Sequence, residues 1–540
     1  MRPGVNPRIR TDLLVLVAFC GFLFFYGSGA FGLIGPDEPR YAQVAREMLD
    51  RGDWVTPTLH GRPWLEKPPL YYWQAMLAFR LGGVSDRAAR LPGAVDASLL
   101  IAAIYFFLRR FRRGSEVDGA LIAASCAAVV GFARAAATDM PLAAAFSIAM
   151  LAWYAWYESG RRAYLAGFYV FLALAMLAKG PVAPALAALI IVFFLALKRD
   201  WQAIGRTLWI PGLALFLAVM LPWYVAVQLR NPEFFRVFIL EHNLARFAHD
   251  VYHHRQPFWF YVPVFLLATV PWTLALIPAV AERIRAILAE ERQAFSTRKD
   301  CWGAFLLLWM IVPIVFFSAS QSKLPGYILP ALPAAALLVA DHLAGRRSRP
   351  GFDQNRRFSL LFAAAHGLLC GLLVFAAFSA NTIVASHHVV WGRGTYTGAA
   401  VAAALAIGTG VTLRSRAGVR LFRPATLVAV VLSVGAAVRM AAPAIDAAQS
   451  ARQIAETIQG FSREAVPLAV YHVREAQQFG LEFYLNCEAQ ELDSNISAGG
   501  QVVVAAQGSQ SEVERLATGH PVSFLTRIPE QKVDVYWVGK

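Results

Sequence analysis

The sequence predicts a polytopic α-helical membrane protein of about 13 transmembrane helices, followed by a C-terminal α/β domain on the outer face. Three observations carry this reading. Hydrophobic residues make up 57% of the 540 and charged residues 16%, against about 25% charged in a soluble domain, and mean hydropathy is +0.48. Apolar runs long enough to cross a bilayer recur up to residue 440. Basic residues gather in every second loop between those runs. The composition excludes a disordered chain and a simple cytosolic enzyme.

The runs centre on 13–34, 90–108, 117–133, 140–157, 163–179, 181–197, 208–229, 258–281, 302–320, 325–343, 358–380, 396–413 and 424–440. The first is too long for a signal-peptide core and shows no clear cleavage site, so it reads as a retained helix. Segment 68–84 is apolar but short and carries Arg80, so it reads as an interfacial helix rather than a span. Arg2, Arg8 and Arg10 precede the first run. Arg109, Arg110, Arg112 and Arg113 share a loop parity with Lys198, Arg199 and Arg206, and with Arg346, Arg347 and Arg349. The alternate loops hold single charges such as Arg134, Lys179 and Lys323. The positive-inside rule then puts the N-terminus in the cytoplasm and, with an odd number of spans, the C-terminus outside. The net charge of +15 is thereby explained by topology, and no nucleic-acid partner is expected. The five cysteines suggest neither a disulfide framework nor a Cys-based metal site.

The composition changes near Ala441, which divides the chain into 1–440 and 441–540. Beyond it, 468–473, 501–506, 522–528 and 533–539 read as strands, and 447–458, 474–485 and 509–517 as helices. There is no Gly-rich phosphate loop.

The chemistry-bearing residues gather in the outer loops. The first begins GPDEPRYAQVAREML. Asp37 sits where a helix N-cap belongs, with Pro39 in the first turn. Tyr41, Val44, Ala45, Met48 and Leu49 follow with amphipathic spacing. A cap alone needs no second acid, yet Glu38, Arg40 and Tyr41 accompany Asp37. The same loop ends RPWLEKPPLYYW, where Glu66 and Lys67 form either a snorkelling interfacial pair or an anion site with a metal-ligating or orienting carboxylate. Asp139, before Pro141, is either a helix cap or a second acid on the same face. Loop 230–261 carries four histidines (His242, His249, His253 and His254) with Glu241, Arg246, Asp250 and Arg255. Imidazole suits zinc, but the spacing matches no closed site, so a metal would be shared with another loop, Glu66 being the candidate. In SKLPGYILPALP, Lys323 and Tyr327 lie four apart where prolines break the chain at the membrane edge, and both are phosphate donors. Carboxylates, cations and apolar walls together suit an amphiphile with a phosphate head and a lipid tail.

The ordered motifs GPDEPRYA, LEKPPLYYW, TDMPL, EHNLARF, HRQPFWFY and KLPGYILPALP resemble the GT-C membrane glycosyltransferases. More narrowly, they are similar to the lipid A aminoarabinose transferases, relatives of the protein O-mannosyltransferases. The resemblance covers about the first 340 residues. It implies a GT-C fold with a periplasmic C-terminal domain in the bacterial inner membrane. It implies transfer of a sugar, 4-amino-4-deoxy-L-arabinose, from undecaprenyl phosphate to lipid A phosphate or another glycolipid acceptor, with inversion and without a nucleotide cofactor. Asp37 and Asp139 match the family's first- and second-loop acids. Lys67 and Tyr327 match positions holding the carrier phosphate, joined by Arg246 or Arg255. Glu66 matches a ligand for a divalent metal such as zinc, with His242 or His254 as its partner. Arg40, Lys323, Glu38 and Tyr41 complete the candidate site.

An alternative within the class moves another sugar onto core oligosaccharide, glycan or protein. A lipid-linked sugar transporter would show paired repeats or polar residues at mid-membrane, and neither is read here.

Overall fold

The structure, a computed structural model, describes residues 7–245, 256–290, 301–348, 356–386, 392–414, 418–461, 466–493, 496–497 and 499–539. Each predicted apolar run falls on a helix or a broken pair of helices. Among the described residues eight helices are long and apolar enough to cross a membrane, or up to ten if each bent pair is one span, and the 17-residue helix Val182–Lys198 falls just short of that length. The first helix, α1 (Pro7–Cys20), passes into a π-helical turn at Gly21–Phe25 and stops there, short of residue 34.

The first outer loop then folds as expected for an amphipathic segment. Helix α2 (Asp37–Arg51) buries Tyr41, Val44, Ala45 and Met48. It ends at Gly52, whose φ of 63° is the left-handed conformation that glycine adopts without strain. A short hairpin, β1 (Thr58–Leu59) with β2 (Arg62–Pro63), turns the chain back. Helix α3 (Leu70–Gly82) is the segment read as interfacial. It is not among the long apolar helices, and it buries Tyr71, Tyr72, Ala75, Met76 and Phe79 in one apolar cluster with α2.

Helix α4 (Asp86–Phe111) is capped by Ser85, whose side chain accepts from the Ala88 amide. Helices α5 (Glu116–Ser125) and α6 (Ala127–Ala133) form one of the bent pairs, with 68° between them. Then come α7 (Asp139–Ser159), α8 (Arg162–Lys179), the 17-residue α9 (Val182–Lys198), α10 (Trp201–Thr207) and α11 (Ile210–Arg230). Helices Tyr261–Ala268 and Thr273–Glu290 form the second bent pair, at 112°. Helix Cys301–Ala319 follows, and a 3-10 turn at Pro325–Ala331 leads into Leu332–Ser348. Helices Arg356–Ser386, Arg393–Arg414 and Gly418–Ala436 complete the set. The last continues through residue 440 and reaches Gln449 as a 28-residue apolar helix from Phe422.

A five-stranded sheet follows, in the order β4-β3-β5-β7-β6. Its strands are β3 (Leu468–Tyr471), β4 (Ala489–Glu491), β5 (Gln501–Ala506), β6 (Val522–Ile528) and β7 (Val533–Val538). β3 runs parallel to β4 and β5, and β7 runs antiparallel to β5 and β6. The strand β4 was not anticipated, because Ala-Gln-Glu has neither length nor alternation. One face of the sheet packs on helices Arg452–Phe461 and Glu475–Leu485, and the other on Gln510–Leu516.

This sheet layer is fastened to the first outer loop. The Tyr484 hydroxyl donates to Asp86 at 2.6 Å and accepts from the Leu33 amide at 2.7 Å. Arg452 bridges Asp86 at 3.1 Å and Asp446 at 2.6 Å, and Asp446 accepts from the Gly32 amide at 2.7 Å. His60, in the hairpin turn, lies 3.1 Å from the buried Glu482 carboxylate.

Hydrogen bonding to Glu482 is the main reason the His60 imidazolium is held above its ordinary value of 6.5. The stabilisation is therefore fully present below 6.5 and is lost as pH rises through the raised value. The melting-temperature gap between the native chain and a His60→Gln variant should accordingly be widest near pH 6 and narrow towards pH 9. A gap that is flat with pH, measured in detergent, contradicts this reading.

Candidate functional site

The site is built on a buried clamp. Glu38 is buried in the first turn of α2. Its carboxylate takes Arg90 Nε at 3.1 Å and an Arg90 terminal nitrogen at 2.6 Å. It also accepts the backbone amides of Ile34 at 2.9 Å and Ala136 at 2.8 Å. Arg90 spends its remaining donors on the carbonyls of Ser28, Phe31 and Gly32, each at 2.8 Å. All five guanidinium N–H groups are thus used. One carboxylate joins the first outer loop, helix α4 and the loop before α7.

Asp37 and Asp139 were read as helix caps or as acids. The structure puts Pro36 and Thr138 in the cap positions, with no side-chain cap bond at either. Both acids are the first residues of their helices, and both pair with cations. Asp37, half-exposed, pairs with Arg40 one turn on. The Arg40 guanidinium lies 5.1 Å from the Trp64 ring, 5.2 Å from Phe479 and 5.6 Å from Tyr41. It is caged by aromatic faces and already matched by Asp37. Asp139 takes Lys179 Nζ at 2.6 Å, and that ammonium lies 5.0 Å from the centre of the Tyr327 ring. Gly326 packs directly on the Asp139 carboxylate, and a Cβ there would collide with Oδ1.

Lys67 Nζ is 3.9 Å from its neighbour's carboxylate on Glu66, whose other oxygen is 3.7 Å from His242 Nε2. His242 arrives on a π-helical segment, Phe235–Ala245. Phe234 and Phe238 stack 5.3 Å apart and share an apolar cluster with Leu65, next to Glu66. Lys323 is buried and donates to the Ser320 carbonyl at 2.5 Å. Its ammonium therefore serves the turn before the broken helix. Arg246, Arg255 and His254, the remaining candidates, lie outside the described residues.

The separate pairs share one field. Burial raises the Tyr41 phenol well above its ordinary value, and the charges of Asp37 and Asp139 reinforce this against Arg40. Burial likewise raises Tyr72, with Glu66 and Asp37 adding and Arg40 opposing. Tyr41 and Tyr72 are T-stacked at 6.3 Å. They stay neutral at physiological pH and form an apolar wall among the acids.

Two participants were missed as site residues. Lys179 had been noted only as a loop charge, although it ends an apolar run just before Gly-Pro. Arg90 stands at the start of an apolar run, where an ionisable group signals a buried partner. For metal binding, Glu66 and His242 supply an oxygen and a nitrogen donor from facing segments, a donor set suited to zinc. Among the described residues no group of three His, Cys, Asp or Glu side chains forms a complete site.

Comparison with known proteins agrees with this architecture. Residues 66–225 match the dolichyl-phosphate-mannose-protein mannosyltransferase family. The undecaprenyl phosphate-α-4-amino-4-deoxy-L-arabinose arabinosyl transferase of Pseudomonas aeruginosa (strain UCBPP-PA14) is 33% identical over 348 residues, 63% of this chain and 60% of that protein. The enzyme of the same name from Aeromonas hydrophila is 33% identical over 390 residues, 69% of this chain and 66% of that one. The matched region thus spans about three fifths of the length of the first of these relatives. The crystal structure of ArnT from Cupriavidus metallidurans bound to undecaprenyl phosphate superposes with a TM-score of 0.74, covering 97% of both chains at 23% identity. Its apo state gives 0.74 at 22% identity. At those identities the likeness is one of fold. The chain is a multi-pass membrane protein of GT-C fold, related in sequence to the aminoarabinosyl transferases.

Proposed function

We propose that the chain transfers 4-amino-4-deoxy-L-arabinose from undecaprenyl phosphate to a phosphate of lipid A, at the periplasmic face of the bacterial inner membrane. The observation that carries this reading is the set of carboxylate–cation pairs whose charges meet at the buried Tyr41 and Tyr72. Asp37–Arg40, Glu66–Lys67 and Asp139–Lys179 line an amphiphilic site beside Tyr327. In this reading the N-terminus is cytoplasmic, as the basic loops suggest. Residues 1–440 form the transferase domain and 441–540 a periplasmic α/β domain.

The chemistry follows from charge. The bond between the anomeric carbon and the carrier phosphate breaks, and its electron pair stays on the phosphate as undecaprenyl phosphate. An acceptor oxygen bonds the anomeric carbon from the opposite side and inverts it. Negative charge grows on the leaving phosphate, so preorganised cations there lower the barrier. Lys67, Lys179 and the Tyr327 hydroxyl are the groups we assign to it, with Arg246 or Arg255 completing the set. Arg40 and Lys323 stand behind them. Arg40 holds Asp37 in place, and Lys323 holds the turn. A phosphate monoester acceptor has a second pKa of about 6 and is largely ionised, so Asp37 orients and balances charge. With a hydroxyl acceptor it takes the proton. Glu66 with His242 or His254 would hold a divalent cation, which when bound supplies further positive charge beside the leaving group.

Mass spectrometry of lipid A from Gram-negative cells lacking their own aminoarabinose transferase tests the reading. Expression of this chain should add one aminopentose, and Asp37→Asn should cut the modification about 10²-fold or more. An unmodified lipid A with the protein present in the membrane would transfer the proposal to another sugar or acceptor. Lys179→Met should abolish transfer and lower the melting temperature, because it strands a partly buried carboxylate. Adding Asp139→Asn to that variant should recover the melting temperature but not transfer; full recovery of transfer would remove Lys179 from the mechanism. Elemental analysis of the purified chain should find bound zinc falling about tenfold or more in Glu66→Gln and in His242→Gln. Metal content unchanged by either substitution would remove both from the metal site.

A further inference from the structure

We propose that the C-terminal domain carries a second binding site, for a phosphorylated saccharide, in the crevice at the carboxyl ends of β3 and β5. The argument begins with topology. β3 and β5 are parallel neighbours. The chain leaving β3 runs through helix Glu475–Leu485 to β4 on one side. The chain leaving β5 enters helix Gln510–Leu516, which packs on the opposite face of the sheet. Connections that diverge in this way leave an open crevice beyond the strand ends, where α/β sheets place their ligands.

Here the crevice is a cavity of about 740 Å³, within the range of small-molecule sites. Its roof is the end of the last membrane helix, at Ala444, Ala447 and Ala448. Its charged lining is Arg474 at the start of helix Glu475–Leu485 and Lys532 before β7, against the single carboxylate of Glu530, with the imidazole of His472 just past β3 beside them. All three basic residues are exposed. Two of the three glutamines of the wall, Gln477 and Gln531, are occupied in holding it together. Gln477 donates to the Gln531 carbonyl at 3.1 Å, and Gln531 donates to the Ser450 carbonyl at 2.6 Å. His472 stacks on Tyr471 with ring centres 4.2 Å apart, which gives a sugar ring a flat aromatic surface.

The backbone adds a second observation. His472 and Lys532 both hold left-handed conformations, with φ of 52° and 55°. Non-glycine residues seldom do so, and such residues cluster at ligand clamps. The roof also bears on where the ligand comes from. The helix from Phe422 to Gln449 has 28 residues, about 42 Å at 1.5 Å per residue. That exceeds a hydrocarbon core of about 30 Å, so its end stands at head-group height. The ligand is a sugar phosphate, borne on a lipid or free in solution.

The test uses the full chain in detergent, with glucosamine 1-phosphate as the soluble probe and calorimetry as the readout. Nanodiscs containing a phosphorylated glucosamine glycolipid form the second arm. The native chain should bind glucosamine 1-phosphate, and glucosamine should not bind. Arg474→Gln with Lys532→Gly should weaken binding at least tenfold. Glycine at 532 relieves the left-handed strain while deleting the cation, and an unchanged melting temperature certifies the fold. Lys67→Met, which disables the proposed transfer site, should leave this binding intact. Binding at least tenfold tighter in the nanodisc arm assigns the site to a lipid head group; equal affinity assigns it to a free sugar phosphate. No binding to the native chain, equal binding of glucosamine, retained affinity in the double variant, or loss in Lys67→Met would each overturn the proposal.

Discussion

The buried ion pair between Glu38 and Arg90 is the constraint on which the candidate site depends. Removing both charges from water costs several kcal/mol per ion, of order, so the pair persists only because nothing in it is left unsatisfied. Arg90 uses five donors and Glu38 four hydrogen bonds. Those bonds tie Ser28, Phe31, Gly32 and Ile34 of the first loop to Ala136 of the second. Asp37 follows the last of these by three residues, and Asp139 follows Ala136 by three. The separation of the two acids is therefore set by this buried joint. Breaking one partner would leave an uncompensated charge, at a cost of about 3–5 kcal/mol.

The site that this joint supports holds its cations on carboxylates. In a low-dielectric pocket a bare ammonium or guanidinium would be costly. Asp139 and Glu66 give Lys179 and Lys67 a counter-charge there. In the transfer reading proposed above, a phosphate entering beside Asp139 and Lys179 competes for the same ammonium. Gly326 matters for the same reason. Its missing side chain lets the backbone of the fifth loop lie on Asp139, which brings Tyr327 over Lys179.

Much of this was legible in the sequence, and the remainder was not for definable reasons. Long apolar runs and the amphipathic spacing of α2 are local signals, and each corresponds to an element. Asp37, Glu66, Lys67, Asp139 and Tyr327 stood out because charged or phenolic groups beside proline at a membrane edge are unusual. Glu38 and Arg90 are 52 positions apart, and no periodicity links them; only the folded loop reveals that Glu38 is a clamp. The same holds for Lys179, whose partner lies 40 residues earlier. Apolar length does not reveal breaks, so the sequence alone does not show that α1 passes into a π-helical turn or that two runs bend by 68° and 112°. Asp37 and Asp139 were offered a capping role by their position. The preceding residues take the cap positions, which leaves both carboxylates to cations.

The C-terminal domain takes its place from the same logic. The first loop is gripped from below by Arg90 and from above by Asp446 and Tyr484, which hold the amides of Gly32 and Leu33. Arg90 holds the carbonyl of that same Gly32. One peptide neighbourhood, a few residues before Asp37, thus carries bonds from the membrane helices and from the sheet domain. Asp446 sits on the short helix that roofs the domain's basic crevice. That helix therefore meets the first loop at Gly32, five residues before Asp37. From the crevice, bonds between 2.6 and 2.8 Å run from Gln531 to Ser450, four residues beyond Asp446, and from Asp446 through Gly32 and Arg90 to Glu38, the neighbour of Asp37.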